Sequence, residues 1–251
     1  MTLPALVLVH GNAHAADCWD LTVGEIHRLA PELTVLAVDL PGRRGKPGDL
    51  RTLTIADFVD SVVGDIEEAG LNDVVIVGHS MAGLTVPGVV TKLGASRVRE
   101  MILAAACVPH EGAALADVVL WPVALIARRN ARKGVPNKVP AWLTRFVFLN
   151  GVPRARRRFM GRRLYPDASR IPVEKVSRRD IPGEVPRTWI LTKRDRTHSV
   201  KEQRASIAAV GGVQALIEMD TCHGLMVSEP QRLAEILVDR CRSSRGCRNG
   251  V

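Results

Sequence analysis

The fold of this chain is decided by residues 74–83, which read VVIVGHSMAG. The apolar run at the start is β-branched and predicts a buried strand, and the residues after Gly83 follow a helical pattern. Between them stands Ser80, with Gly78 two places before it and Ala82 two places after it. A sharp strand-to-helix turn that presents a serine hydroxyl above a sheet edge leaves room only for small residues at those two places. The stretch therefore predicts a nucleophile elbow, with Ala82 a mild departure from the usual glycine; the alternative is a plain strand end with a solvent serine.

Apolar runs alternate with amphipathic stretches on both sides of this elbow. The predicted strands, in chain order, are residues 6–9, 34–38, 74–77, 98–107, 187–192 and 214–219. Strands that are apolar throughout are typical of parallel sheets covered on both faces, and right-handed crossovers restrict the topology. The sequence predicts an α/β fold with a doubly wound, mostly parallel six-stranded sheet.

Two helix starts carry capping signals. Thr54 precedes Asp57 by three residues, and Ser228 precedes Gln231 in the same way. Both spacings predict a reciprocal cap between side chain and backbone at a helix N-terminus. Gly70 is the expected stop of the helix that starts at Thr54.

The alternation stops between the fourth and fifth strands. Residues 109–186 are rich in proline and arginine, and an insertion at this point lies over the carboxyl ends of the strands, where open α/β sheets bind ligands. We therefore expect residues 1–108 and 187–241 to form the core and residues 109–186 to form a cap. An inert surface excursion is the alternative. Residues 242–251 are small and basic and are expected to fray.

Composition indicates a soluble globular protein. The chain has 251 residues, of which 46% are hydrophobic and 24% charged. It contains no apolar run of about 18 residues, the length that spans a bilayer. Its start lacks the basic region of a secretory leader, and its five cysteines lack C-x-x-C spacing. These features predict a cytoplasmic protein with free thiols and no membrane partner.

The positive charge is concentrated in the predicted cap. The chain has a formal net charge of +9, and residues 115–180 hold sixteen Arg or Lys against four acids. A solvated basic surface is the simplest interpretation, followed by a site for an anionic substrate or carrier. Nucleic acid comes last and is not expected as a partner, because no recognised binding module accompanies the charge. A homodimer is left open.

A serine nucleophile needs a base and an acid that orients the base. In this topology the three follow in the order Ser, acid, His. His223 lies in a loop after the last strand, at the sheet edge that carries Ser80, and is the expected base. Asp195 follows the fifth strand and is the expected acid. Asp220 and Glu111 are weaker candidates, since Asp220 is too near His223 in sequence and Glu111 follows the fourth strand.

A tetrahedral oxyanion needs preorganised donors beside the nucleophile. One expected donor is the backbone N–H of Met81, the residue after Ser80. The other is the backbone N–H of Asn12, in the loop after the first strand. Gly11 permits that loop to approach closely.

Several pieces of the sequence together resemble the α/β-hydrolase superfamily, and more narrowly its compact branch of plant methyl esterases, hydroxynitrile lyases and bacterial esterase relatives. The matching pieces are residues 8–12, His14, Trp19, residues 38–42, residues 78–83, His223 and residues 228–231. The resemblance covers about two-thirds of the chain and implies a cofactor-independent enzyme. Gly224 stands where the lyases carry lysine, which disfavours cyanohydrin cleavage. Ser80 argues against the dehalogenases and epoxide hydrolases of this fold, which need an aspartate nucleophile.

The main functional hypothesis is a serine hydrolase acting on an ester, thioester or related acyl bond of a hydrophobic small molecule. Trp121, Trp142 and Phe146 in the cap are the expected substrate contacts, because small-molecule sites are mostly apolar. No phosphate loop, dinucleotide fingerprint or metal-ligand spacing is present, so no cofactor and no metal are expected. Alternatives are biosynthetic acyl transfer, cyclisation or elimination on the same scaffold, and a non-catalytic ligand-binding protein.

Overall fold

The six expected strands form one sheet in the computed structural model, which describes residues 3–244. They are β1 Ala5–Val9, β2 Val35–Val38, β3 Val74–His79, β4 Val98–Ala104, β5 Arg187–Thr192 and β6 Ala215–Met219. The order across the sheet is β2-β1-β3-β4-β5-β6, and every neighbouring pair is parallel. The doubly wound, six-stranded α/β sheet is therefore confirmed, and it is parallel throughout.

Helices connect the strands and cover both faces. Within the described residues they are α1 Asp20–Leu29, α2 Ile55–Glu68, α3 Val86–Leu93, α4 Trp121–Lys133, α5 Ala141–Val147, α6 Arg154–Gly161, α7 Val200–Ala209, α8 Leu225–Ser228 and α9 Pro230–Ser243. Alternate strand residues point to opposite faces, so Val7 and Val9 join one core cluster while Leu6 and Leu8 join the other. Both faces of the central strands are buried, which explains why β1 is apolar at every position.

One of the two predicted helix caps is present. Thr54 Oγ1 accepts from the Asp57 N–H at 3.2 Å, and Asp57 Oδ2 accepts from the Thr54 N–H at 2.8 Å. The helix ends at Glu68, and Gly70 follows with a φ of +65°. The predicted cap at Ser228 is wrong. Residues 225–228 already form a helical turn, so the Ser228 hydroxyl bonds to Thr221 Oγ1 at 2.5 Å, and α9 starts without a side-chain cap.

Helix α9 runs past the predicted core boundary at residue 241. It ends at Ser243, and the hydroxyl of Ser244 donates to Glu100 Oε2 at 2.9 Å. Glu100 is buried and also pairs with Arg240 at 2.7 Å. The remainder of the predicted tail, residues 245–251, lies outside the described residues.

Residues 109–186, named the cap after the expectation from the sequence, contain α4, α5 and α6 and leave the sheet between β4 and β5. The last part of this segment packs against loops of the core. Tyr165 N–H donates to the Ala13 carbonyl at 2.9 Å, and Ser169 N–H donates to the Leu50 carbonyl at 2.8 Å. Tyr165 and Ser169 thus attach this part of the segment to the loops that follow β1 and β2.

A buried ion pair reinforces this attachment. Arg43 and Asp167 contact each other through Nη2 and Oδ1, and their side chains are 0% and 1% exposed. Arg43 Nε donates to the His14 carbonyl at 3.1 Å, and Asp167 Oδ2 accepts from the Ala13 N–H at 3.1 Å. The pair therefore joins three segments: the loop after β1, the loop after β2 and the end of the cap.

Removing one partner of this pair is expected to destabilise the protein strongly. Arg43→Met leaves the Asp167 carboxylate buried without its counter-charge, which should lower the free energy of unfolding by about 3–5 kcal/mol. Urea unfolding followed by circular dichroism measures the loss. Lys92→Met, which removes a half-exposed pair with Asp60, is the matched control and should cost far less. Equal losses in the two variants would contradict this role for the buried pair.

Candidate active site

The serine predicted to lie on a sharp turn does so. Ser80 opens a 3₁₀ turn directly after β3 and has a φ of +54°, which is uncommon for a residue other than glycine. A Cβ at Gly78 would lie 2.8 Å from Val86 Cγ2, and Ala82 is 2% exposed. The elbow geometry thus leaves room only for small residues on both sides of Ser80.

Three side chains predicted from the sequence meet at the carboxyl ends of the strands. His223 Nε2 lies 2.8 Å from Ser80 Oγ, and His223 Nδ1 lies 2.7 Å from Asp195 Oδ2. The side chains of His223 and Asp195 are both fully buried. The structure therefore brings together the predicted nucleophile, base and acid in one continuous chain of hydrogen bonds.

Asp195 is held by its own loop. Oδ1 accepts from the backbone N–H groups of Thr197 and His198 at 2.7 and 2.8 Å, and Oδ2 accepts from Thr192 Oγ1 at 3.0 Å. Burial alone would raise the pKa of this carboxyl. The charge and hydrogen bond of His223, together with the two loop amides, outweigh burial and hold the pKa of Asp195 below its usual value.

The two weaker acid candidates lie elsewhere. The Asp220 side chain is 68% exposed and pairs with Arg194 at 3.2 Å. Glu111 accepts from the Arg178 N–H at 2.8 Å. Neither is bonded to His223, whose Nδ1 contacts Asp195.

The loop after β1 approaches the elbow closely. A Cβ at Gly11 would lie 2.7 Å from Ser80 Cβ and 2.9 Å from the His79 carbonyl oxygen, so only glycine fits. Asn12 follows directly and is half-buried, while Met81 is buried on the other side of Ser80. The two residues expected to donate to an oxyanion therefore flank the serine, and their role stays a prediction.

A second histidine, His79, forms a hydrogen bond with the backbone of the loop that carries His223. It is 1% exposed, and its Nε2 lies 2.9 Å from the His223 carbonyl oxygen. A carbonyl only accepts, so this nitrogen carries the proton. Burial, followed by the charge of His223, lowers the pKa of His79 well below its usual value, so the ring is neutral. The sequence pattern alone did not assign a role to His79, although its position next to Ser80 pointed to the site.

The cap reaches the site through Phe148. Its ring centroid lies 5.1 Å from that of His223, and its carbonyl accepts from the Gly224 N–H at 2.9 Å. A Cβ at Gly224 would lie 2.8 Å from Leu149 Cδ2 and 3.1 Å from the Phe148 carbonyl oxygen. Gly224 therefore allows the cap to pack directly on the loop that carries His223.

The three cap residues expected to contact substrate lie on the surface instead. Trp121, Trp142 and Phe146 are 75%, 71% and 62% exposed. The buried residues of α4 are Ala124 and Ala127, so this helix turns its small side chains inward and its large ones outward. The structure does not place the three aromatic side chains in an enclosed cavity, and their contact with substrate stays a prediction.

Residues 3–244 contain no group of three or more His, Cys, Asp or Glu side chains arranged to hold a metal ion. In the same residues no helix is both long and apolar enough to cross a membrane. Cys18, Cys107, Cys222 and Cys241 are free and buried.

Two buried histidines in the loop after β1, His10 and His14, have lowered pKa values. The free energy of unfolding should therefore depend on pH. Burial, with a smaller effect of Arg43, lowers the pKa of His10 to about 3, and burial lowers that of His14 to about 4. In the unfolded chain both titrate near 6.5. Between these values the unfolded state binds more protons than the folded state, so acid favours unfolding.

We therefore expect the free energy of unfolding to be highest above about pH 6.5 and to fall as the pH is lowered toward about 4. Urea unfolding at a series of pH values measures this slope. In His14→Gln this slope should be smaller than in wild type, by the amount that corresponds to about one bound proton. A stability that is flat between about pH 7 and pH 5 would contradict the neutral state of these side chains.

Comparison with known proteins finds an esterase that is similar over part of the chain. A carbendazim hydrolyzing esterase from Nocardioides sp. (strain SG-4G) is 32% identical over 120 residues, which are 47% of this chain and 48% of the esterase. The match thus spans about half the length of that relative. The carbendazim substrate is a property of the Nocardioides protein.

Solved structures share the fold over nearly the whole chain. An extracellular alpha/beta-hydrolase from a Paenibacillus species, described as sharing structural and functional homology with tobacco salicylic acid binding protein 2, has a TM-score of 0.82 at 22% identity. It covers 94% of this chain and 98% of its own. A pyrethroid hydrolase from Sphingobium faniae JZ-2 has a TM-score of 0.75 at 22% identity, over 96% and 98% of the two chains. The alpha/beta hydrolase family matches residues 6–236, which confirms the resemblance read from the sequence, and the protein belongs to this family.

Proposed function

We propose that the protein is a serine hydrolase that cleaves an ester, thioester or related acyl bond of a hydrophobic small molecule. The observation that carries the proposal is the unbroken chain of hydrogen bonds from Ser80 Oγ through His223 to Asp195, at 2.8 and 2.7 Å. The similarity to an esterase over 120 residues supports the reaction class.

In the first half of the reaction Ser80 Oγ attacks the acyl carbon while His223 Nε2 takes the hydroxyl proton. The tetrahedral intermediate then collapses, and the leaving oxygen or sulfur receives that proton from His223. A water molecule repeats the sequence on the acyl-enzyme: His223 takes a proton from the water, the acid is released, and Ser80 regains its proton. Asn12 and Met81 would donate their backbone N–H groups to the oxyanion.

Asp195 makes His223 a competent base. Its carboxylate accepts a hydrogen bond from Nδ1–H, which keeps the proton on Nδ1 and leaves a lone pair on Nε2, facing Ser80. Its lowered pKa keeps it ionised, so it stabilises the imidazolium that forms during attack. His79 is neutral and adds no competing positive charge to His223.

Phe148 supports the assignment of an apolar substrate. Its ring packs on His223 and forms an apolar boundary beside the reacting groups. An acyl or leaving group placed there would be shielded from water, which strengthens the electrostatic interactions at the serine. Acyl transfer, cyclisation and elimination would use the same residues, and no specific contact favours them over hydrolysis. A purely binding role does not require the aligned Ser80, His223 and Asp195.

Other expectations also remain predictions. They are a small-molecule acyl substrate as partner with no nucleic acid and no membrane, substrate contacts at Trp121, Trp142 and Phe146, cytoplasmic location, and an oligomeric state for which a homodimer is left open.

Ser80→Ala is expected to abolish turnover and preserve the fold. Removal of the nucleophile should lower kcat for p-nitrophenyl acetate by about four to six orders of magnitude. Labelling by a fluorophosphonate probe should also disappear, and the circular dichroism spectrum should be unchanged. Labelling that persists in Ser80→Ala, or hydrolysis within about threefold of wild type, would show that another group is the nucleophile.

Asp195→Asn should lower kcat by about four orders of magnitude, because an amide beside Nδ1 favours the wrong imidazole tautomer. Asp220→Asn and Glu111→Gln are matched controls that also remove one carboxylate each. Steady-state rates for the three variants rank the acids. A larger loss in Asp220→Asn than in Asp195→Asn would transfer the role to Asp220.

A further inference from the structure

The cap contains a cavity of about 230 Å³ between α5 and α6. Its lining residues are Arg145, Arg154, Arg157, Arg158, Gly161 and Arg162. Five arginine side chains thus line one concavity, four of them from exposed residues, and the lining includes no acidic side chain. A Cβ at Gly161 would have no heavy atom within 4 Å, so this part of the wall is not packed against other side chains.

Three other arginines of the cap have partners, whereas these five, like Arg129 and Arg132 of α4, have none in the described chain. Arg156 Nη1 donates to the Ser228 carbonyl at 2.8 Å, Arg163 lies 3.6 Å from Asp17, and Arg128 pairs with Asp117. Among residues 3–244, the side chains that line the cavity form no ion pair and no hydrogen bond. The Nε of Arg157 is also buried without an acceptor.

Unpaired like charges around one concavity are an unfavourable arrangement. Arginine is charged at every physiological pH, and like charges that share a concavity repel one another. A buried donor without an acceptor adds a further cost. An anion in the cavity would relieve both, and the planar fork of guanidinium donors fits phosphate oxygens in a bidentate manner.

We propose that this cavity binds a diphosphate group. Five cations call for a ligand with several negative charges. A volume of 230 Å³ corresponds to about eight water molecules at about 30 Å³ each, which is room for two linked phosphates. The diphosphate is either free or part of a nucleotide, and both present the same oxygens to the arginines. The proposal concerns a site separate from Ser80 and is independent of the proposed hydrolase activity.

The test is isothermal titration calorimetry of the full chain with inorganic pyrophosphate at physiological ionic strength. Wild type should bind one pyrophosphate with a Kd below about 1 mM. Arg157→Gln/Arg158→Gln should weaken binding by about tenfold or more. Arg129→Gln/Arg132→Gln removes the same charge from α4, outside the cavity, and should stay within about twofold of wild type.

Two further arms sharpen the result. Arg157→Lys/Arg158→Lys keeps the charge and loses the fork, so its affinity should lie between those of wild type and the glutamine variant. ADP that binds more tightly than pyrophosphate would assign a nucleotide, and equal affinities would assign the diphosphate alone. Thermal melts verify that each variant is folded. No saturable binding, or equal weakening in the α5–α6 and α4 variants, would overturn the proposal.

Discussion

Ser80 has a backbone conformation that a residue with a side chain rarely adopts, and the surrounding chain has to be packed tightly to hold it there. Its carbonyl accepts from the Cys107 N–H at 2.9 Å, which attaches the elbow to the segment after β4. A Cβ at Gly83 would lie 2.6 Å from the Cys107 carbonyl oxygen, and one at Gly11 would lie 2.7 Å from Ser80 Cβ. The serine is thus enclosed by backbone from the segments after β1 and β4, so its hydroxyl has a fixed position before any substrate binds.

The same packing sets the electrostatics of the site. Burial keeps His10, His14 and His79 neutral, while hydrogen bonds and the charge of His223 keep Asp195 ionised. A proton that moves to His223 therefore has a carboxylate at 2.7 Å and no protonated histidine close by. Burial would raise the pKa of an isolated carboxyl. The ionised state of Asp195 therefore also depends on the hydrogen bonds that the Thr197 and His198 amides donate to it.

The cap has two different relations to this site. Phe148 packs on His223, and the Arg43–Asp167 pair joins the cap to the loop that follows β1, which carries Asn12. These contacts couple the cap to the position of the reacting groups. The five arginines that line the cavity between α5 and α6 lack partners within the described chain, whereas the large side chains of α4 face outward. One insertion therefore combines a packed inner side with a charged and apolar outer side.

The sequence by itself determined the alternation of strands and helices, which follows from local periodicity and from chirality rules for parallel sheets. It also predicted the elbow at Ser80 and the order Ser80, Asp195, His223, from the elbow motif and the chain order that accompanies it. It could not find the contact between His79 and the His223 carbonyl, whose partners are 144 residues apart. The Arg43–Asp167 pair also left no pattern in the sequence. The aromatic residues of α4 and α5 were predicted to contact substrate, and the structure places them on the surface. Periodicity shows that a helix has an apolar side, but the neighbour that covers that side, or leaves it open, is decided only when distant segments pack together.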